Sequence, residues 1–126
     1  MKNVYPVIFT PLNDAKDIVL VEVLDLEILT EGYGMLNAVY VARDAIGLKG
    51  ITREDEGKFI PEPSALYDID VSKGTFAENG KGYVSLVDID FVEYRRRVDN
   101  KTVRRNVTLP NWLNQEALMT KLNVSK

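Results

Sequence analysis

The chain has 126 residues, of which 45% are hydrophobic and 28% charged, a composition typical of one globular domain with a small appendage. No apolar run reaches the ~18–20 residues that a membrane span needs, and the absence of cysteine excludes disulfides and thiolate metal sites. Histidine, the commonest metal ligand and proton-transfer group, is also absent. We therefore expect a cytoplasmic binding protein that is not an enzyme and needs no cofactor.

Charge divides the chain into two parts. Residues 1–94 contain 8 basic and 17 acidic residues, a net charge of −9, whereas residues 95–126 contain 8 basic and 2 acidic residues, a net charge of +6. An acidic surface attracts basic proteins, and a basic arm attracts phosphate backbones. The division predicts two kinds of partner. The alternative for the acidic part is that its charge only keeps the protein soluble.

The N-terminal residues predict a β-hairpin. Tyr5–Thr10 and Ile18–Val23 are rich in β-branched and aromatic residues. The short polar connection between them favours antiparallel pairing. Pro6 favours an edge position for the first strand, because proline cannot donate to a ladder.

A third strand and a helix follow. Ile28–Thr30 predicts a short strand that ends at the next glycines. From Met35 to Ile46, apolar residues recur at three- and four-residue steps, which predicts an amphipathic helix of about four turns lying on the sheet. We expect this helix to end near Gly47–Gly50.

The middle of the chain predicts a long loop and a fourth strand. Residues 51–82 are rich in glycine and proline and suggest a loop, with a short helix capped by Thr52 and one helical turn near Asp70–Lys73. Tyr83–Phe91 alternates between apolar and polar residues and predicts a strand.

A boundary is expected after Tyr94, where a charged segment, residues 95–101, forms a linker. Val103–Leu109 then predicts a basic strand. Pro110 suits the first turn of a helix, and apolar residues recur at helical spacing over Trp112–Leu122.

This order of elements and several local motifs resemble the HicB family of antitoxins. The matching stretches are Tyr5–Phe9, the turn at Asp25, Ile60–Ser64, Val87–Asp90 and, above all, Asn100–Leu113. None of these stretches is a catalytic signature; their order and spacing carry the resemblance.

The resemblance implies an α+β fold: a partial ribonuclease-H-like domain (β-β-β-α-β) over residues 1–94 that neutralises a HicA-type mRNA-cleaving toxin. It also implies a DNA-binding module over residues 102–126 that represses the operon. The strand before Pro110 favours the ribbon-helix-helix version, whose second helix is missing, so we expect a truncated half-module. The sequence departs from the family at Gly34, where a serine or threonine helix cap is usual, and in a glycine-rich insertion over residues 74–82.

The basic strand supplies the candidate DNA contacts. In a ribbon-helix-helix dimer, two such strands pair in the major groove, and a lone short strand cannot bury its apolar face, so we expect a homodimer. The resemblance assigns three side chains to base edges: Arg104, Asn106 and Thr108. Five basic side chains are expected near phosphates: Arg95, Arg96, Arg97, Lys101 and Arg105. The alternative is a solvated basic strand.

Asp88 and Asp90 share one face of the fourth strand, as acids do in ribonuclease-H-type nucleases. Two-metal hydrolysis needs more converging acids than can be assigned here, so a solvated sheet face is favoured. A further interpretation is an acidic patch that faces the toxin, formed by Asp25, Glu27, Asp88, Asp90 and Glu93.

Three functions follow from these patterns. The favoured one is an antitoxin that binds a HicA-type toxin and operator DNA. The alternatives are a carboxylate-dependent nuclease of ribonuclease-H type and a DNA-binding regulator without a toxin partner.

Overall fold

The computed structural model describes residues 2–13 and 17–108, with side chains as far as residue 99. Its helices and strands, in chain order, are β1 (Lys2–Pro11), β2 (Ile18–Val23), β3 (Ile28–Tyr33), α1 (Met35–Asp55), β4 (Tyr83–Asp90) and α2 (Phe91–Thr108). The fold is α+β, as predicted. The chain divides into two compact units, Met1–Tyr94 and Arg95–Lys126.

The four strands form one antiparallel sheet in the order β3-β2-β1-β4. The predicted hairpin of β1 and β2 is confirmed, with Phe9 opposite Val21. The predicted edge position of β1 is wrong, because β1 lies between β2 and β4. Pro6 is tolerated there because the pairing with β2 begins only at Ile8, so no residue of β2 needs a main-chain donor at position 6.

Helix α1 packs on one face of the sheet, and its central buried positions are Ala38, Ala42 and Ile46. Ala38 lies so close to Gly32 of β3 that a Cβ added at the glycine would be 2.6 Å from the alanine Cα. The first turn of α1 has no side-chain cap. It is tied back to β3 instead, because Asn37 Oδ1 accepts a 2.8 Å hydrogen bond from the main-chain N–H of Tyr33.

The helix is longer than its pattern predicts, and the expected end near Gly47–Gly50 is wrong. α1 continues for 21 residues and includes the segment that Thr52 was expected to cap as a separate helix. The two glycines make room for aromatic rings: a Cβ at Gly47 would lie 2.6 Å from the Tyr94 ring, and one at Gly50 would lie 2.2 Å from the Phe91 ring. They therefore serve packing between helices rather than termination.

The opposite face of the sheet is covered in part by the irregular residues 56–82. One turn of 3-10 helix forms at Leu66–Asp68 and another at Val71–Lys73. The second confirms the turn predicted near Asp70–Lys73, and the Asp70 side chain caps it by accepting from Ser72. The hydrogen bonds that Ser72 donates, from its hydroxyl and then from its main-chain N–H, lower the pKa of the Asp70 carboxyl below its usual value.

The tail differs from the expectation. The strand predicted at Val103–Leu109 is wrong for residues 103–108, which continue α2 without a break from Phe91; residues 95–101, expected as a linker, are helical too. No proline or glycine occurs between Gly82 and Pro110, and arginine is a good helix former, so nothing in this segment ends a helix. Dimerisation through a ribbon strand at these residues loses its structural basis. The helix predicted at Trp112–Leu122 lies outside the described residues.

Candidate protein-binding surface

An open groove of about 840 Å³ runs beside the N-terminal end of β1 and the C-terminal half of β4. Its wall is a short stretch of the irregular segment, and the residues that line it are Lys2, Asn3, Val4, Pro63, Ser64, Ala65, Leu66, Leu86, Asp88, Ile89 and Asp90. All of them belong to the unit Met1–Tyr94.

The groove has an apolar floor. Val4 and Leu86 lie on the sheet face opposite α1, because Val4 pairs with Asp88, Pro6 pairs with Leu86, and side chains alternate along a strand. Both remain exposed, as does Leu66 from the irregular segment. An exposed apolar patch with polar residues at its rim is typical of a surface that binds another macromolecule.

Asp25 holds the wall of the groove in place. Its Oδ2 accepts a 2.9 Å hydrogen bond from the main-chain N–H of Ser64, and its Oδ1 accepts a 2.6 Å bond from the Ser64 hydroxyl. Nearby, the Tyr5 hydroxyl donates to the carbonyl of Pro61 at 2.7 Å, and burial raises the pKa of this tyrosine. Asp25, a sequence-predicted toxin contact, thus has a positioning role in this structure.

A second carboxylate anchors the same segment further along. Glu22 of β2 is buried, and its two oxygens accept from the main-chain N–H of Thr75 at 2.8 Å and from its hydroxyl at 2.7 Å. We call the Asp25–Ser64 and Glu22–Thr75 contacts the two carboxylate latches. The sequence did not single out Glu22, because only its long-range partner distinguishes it from other strand acids.

Asp88 lies on the rim of the groove at the outer edge of the sheet, with 79% of its side chain exposed. Arg43 of α1 donates from Nη2 to Asp88 Oδ1 and from Nε to the Asp88 main-chain oxygen, both at 3.0 Å. This arginine was missed in the sequence, where it lies on the polar side of the helix.

Asp90 lies at the junction of β4 and α2. Its Oδ1 accepts from the main-chain N–H of Val92 at 3.1 Å and of Glu93 at 3.2 Å, which is an N-cap of α2. The hydrogen bond from Glu93, together with nearby Lys2, lowers the pKa of the Asp90 carboxyl below its ordinary value.

The structure therefore brings Asp88 and Asp90 to the groove directly and Asp25 indirectly through Ser64. Glu27 is exposed just after the 3-10 turn at Leu24–Leu26, with a positive φ of 57°. Glu93 is exposed in the first turn of α2. The apolar floor was not predicted, although the position of Leu86 on the same strand face as Asp88 and Asp90 is the signal that could have revealed it.

The predicted DNA contacts all lie in the second unit. Arg95, Arg96 and Arg97 follow one another in α2, the first half-buried and the other two exposed. The positions from Lys101 to Thr108 are helical, and their side chains lie outside the described part.

Asp88 and Asp90 each have one oxygen engaged by the protein itself, Asp88 by Arg43 and Asp90 by the start of α2. Among residues 2–13 and 17–108, no three acids come together as metal ligands would.

No helix in that same part of the chain is apolar and long enough to cross a bilayer.

Comparison with known proteins gives one informative likeness. No family model and no curated protein matches the chain. Among solved structures, the chain is similar to a chain of a toxin–antitoxin complex from Streptococcus pneumoniae, with a TM-score of 0.67 and 15% sequence identity. The match covers 98% of this chain and 100% of that chain. At this level of identity the likeness establishes a shared fold.

Proposed function

We propose that this protein is an antitoxin of the HicB type, which neutralises a HicA-type mRNA-cleaving toxin through residues 1–94 and represses its operon through residues 95–126. One observation carries the proposal. The net charge changes from −9 to +6 at the same boundary that separates the two compact units. Each unit thus has a charge opposite to that of its proposed partner: the acidic first unit suits a basic toxin, and the basic second unit suits DNA.

The toxin-binding part of the proposal rests on the surface of the first unit. A small toxin that binds RNA must have a cationic surface, and an acidic cover on that surface would exclude the substrate. The proposed contacts are the exposed acids Glu27, Asp88, Asp90 and Glu93, with Asp25 supporting the groove wall.

The fold gives independent support, because the likeness to a chain of a toxin–antitoxin complex extends over nearly the whole of both chains. The HicB motifs in the sequence, from Tyr5–Phe9 to Asn100–Leu113, point to the same class. In this proposal the domain is of the partial ribonuclease-H-like kind and acts by binding rather than by catalysis.

The DNA-binding part rests on the charge of residues 95–126. It does not need a ribbon strand, because the major groove admits an α-helix as well as a β-ribbon. On a helix, residues four apart share a face and residues two apart do not, so the proposed base contacts on α2 are Arg104 and Thr108, and Asn106 is no longer grouped with them. The proposed phosphate contacts are Arg95, Arg96, Arg97, Lys101 and Arg105.

The proposal is tested by producing the full chain together with the small basic protein encoded by the neighbouring gene. We expect the two to copurify, and we expect this chain to restore the growth of cells that the basic protein arrests. The purified chain should also bind the DNA upstream of its own gene. Failure of the wild-type chain to bind the basic protein would overturn the antitoxin proposal.

A variant separates the two activities. Arg104→Ala should weaken binding to upstream DNA by about 1–3 kcal/mol for the lost base contact, with a smaller effect on unrelated DNA, and should leave neutralisation unchanged. Equal weakening on both DNAs would show that Arg104 does not read bases.

A further inference from the structure

We propose that the groove between β1, β4 and residues 63–66 is the docking site for a segment of the cationic partner. This segment inserts one aliphatic or aromatic side chain onto Val4, Leu66 and Leu86 and places lysine or arginine side chains against Asp88 and Asp90. This inference rests on the proposed function and adds to it the surface and the chemistry of the contact.

The apolar floor accounts for the anchor. Val4 and Leu86 come from neighbouring strands of the same sheet face, and Leu66 reaches the groove from the irregular segment. All three are exposed in the free protein. Covering them removes apolar surface from water, and buried anchors in a pocket carry most of the affinity of protein interfaces.

The rim accounts for the cationic flanks. Asp90 is held in its charged form by the N-terminus of α2, and Asp88 projects from the outer strand with most of its side chain exposed. Lys2 and Arg43 offset part of this charge locally, but the unit as a whole has a net charge of −9. A cationic partner is therefore steered to the unit, and the two acids fix its orientation in the groove.

The partner is expected to dock on the sheet face and not to extend the sheet. An outer strand can pair with an added strand through its free main-chain groups. Here Arg43 occupies the main-chain oxygen of Asp88, in the middle of the groove rim. Recognition at this position must therefore use side chains.

The test compares two leucines on outer strands of the same sheet face. Leu86 of β4 is 50% exposed and lies in the groove, whereas Leu29 of β3 is 55% exposed and lies at the opposite edge of the sheet. The full-length variants Leu86→Arg and Leu29→Arg introduce the same charge and the same bulk. Their affinity for the neighbouring gene's basic protein, inactivated at its catalytic residue, is measured by calorimetry. A melting curve of each variant checks the fold.

We expect Leu86→Arg to weaken the affinity at least tenfold and Leu29→Arg to change it by less than twofold. Leu66→Arg, which reaches the groove from the loop, should act like Leu86→Arg, and hydrogen exchange of β4 should slow on binding in the wild type. If the wild type binds and both groove variants bind as tightly as it does, the groove is not the docking site and the antitoxin proposal stands. If the wild type does not bind, both proposals fail.

Discussion

The two faces of the sheet are covered by different kinds of contact. On one face, α1 packs through small and apolar residues and receives the rings of Phe91 and Tyr94 against its glycines. On the other face, an irregular segment is held by the two carboxylate latches. The helix buries the apolar residues of its face in the core, whereas the latched segment leaves Val4 and Leu86 exposed on the other face. The difference teaches that the less regular cover is the one that leaves a surface for a partner.

The largest expected effect concerns the helical face. Gly50→Leu should lower the free energy of unfolding by about 3 kcal/mol or more, because the new side chain overlaps the Phe91 ring. Chemical denaturation measures it. Thr52→Leu, exposed in the same helix, is the matched control. The double variant Gly50→Leu/Phe91→Ala should lose much less free energy of unfolding than the two single variants lose together. If the losses simply add, the two residues do not share this space.

A smaller effect is expected on the latched face. Glu22→Ala should lower the free energy of unfolding by about 1.5–3 kcal/mol, because it removes two hydrogen bonds to a buried carboxylate. Hydrogen exchange should accelerate at Thr75 more than at residues of α1. Glu31→Ala, an exposed acid on β3, should have almost no effect. Exchange that accelerated equally throughout the first unit would mean that the two faces do not open independently.

The smallest effect on stability is expected at Asp90, which caps the first turn of α2, the turn that contains Phe91 and Tyr94. The folded-state pKa of Asp90 lies below its ordinary value of 3.8, so its charged form stabilises the fold above that pH, and this stabilisation is lost as the pH falls through the folded pKa. Asp90→Ala should therefore be less stable than the wild type at neutral pH, with the gap closing in acid. Asp90→Asn keeps the acceptor and should show no such pH dependence. A gap that stays constant down to acid pH would contradict the cap.

Much of the fold was predictable because the signals are local. The β-branched and aromatic residues of Tyr5–Thr10 and Ile18–Val23, with the short connection between them, predicted the hairpin. The alternation in Tyr83–Phe91 predicted the strand β4, in which Val87 and Ile89 are buried. The glycines of α1 misled the prediction because a glycine can end a helix or make room for a ring. Only the distant Phe91 and Tyr94 decide between the two.

The candidate site was less predictable because it depends on contacts between distant residues. Asp25 and Ser64 are 39 residues apart, and Glu22 and Thr75 are 53 residues apart. No local pattern pairs them. Asp88 and Asp90 could be selected as exposed acids on one strand, but their partner Arg43 comes from the opposite side of the sheet. The tail was mispredicted because valine and threonine at positions 103–108 suit a strand, while the continuity with Phe91 favours a helix.

The two carboxylate latches also decide where the chain tolerates extra length. They fix the polypeptide at Ser64 and again at Thr75, so the residues between them form a short closed span. Beyond the second latch, Glu78 is exposed, and the chain is held again directly after it, because the Asn79 carbonyl accepts from the Asn13 N–H and Gly80 bridges to Leu12. The entropy of closing a loop grows slowly, by about 0.6 kcal/mol for each doubling of its length. A fluorescent tag or affinity peptide inserted after Glu78 should therefore leave the first unit folded and the docking face accessible.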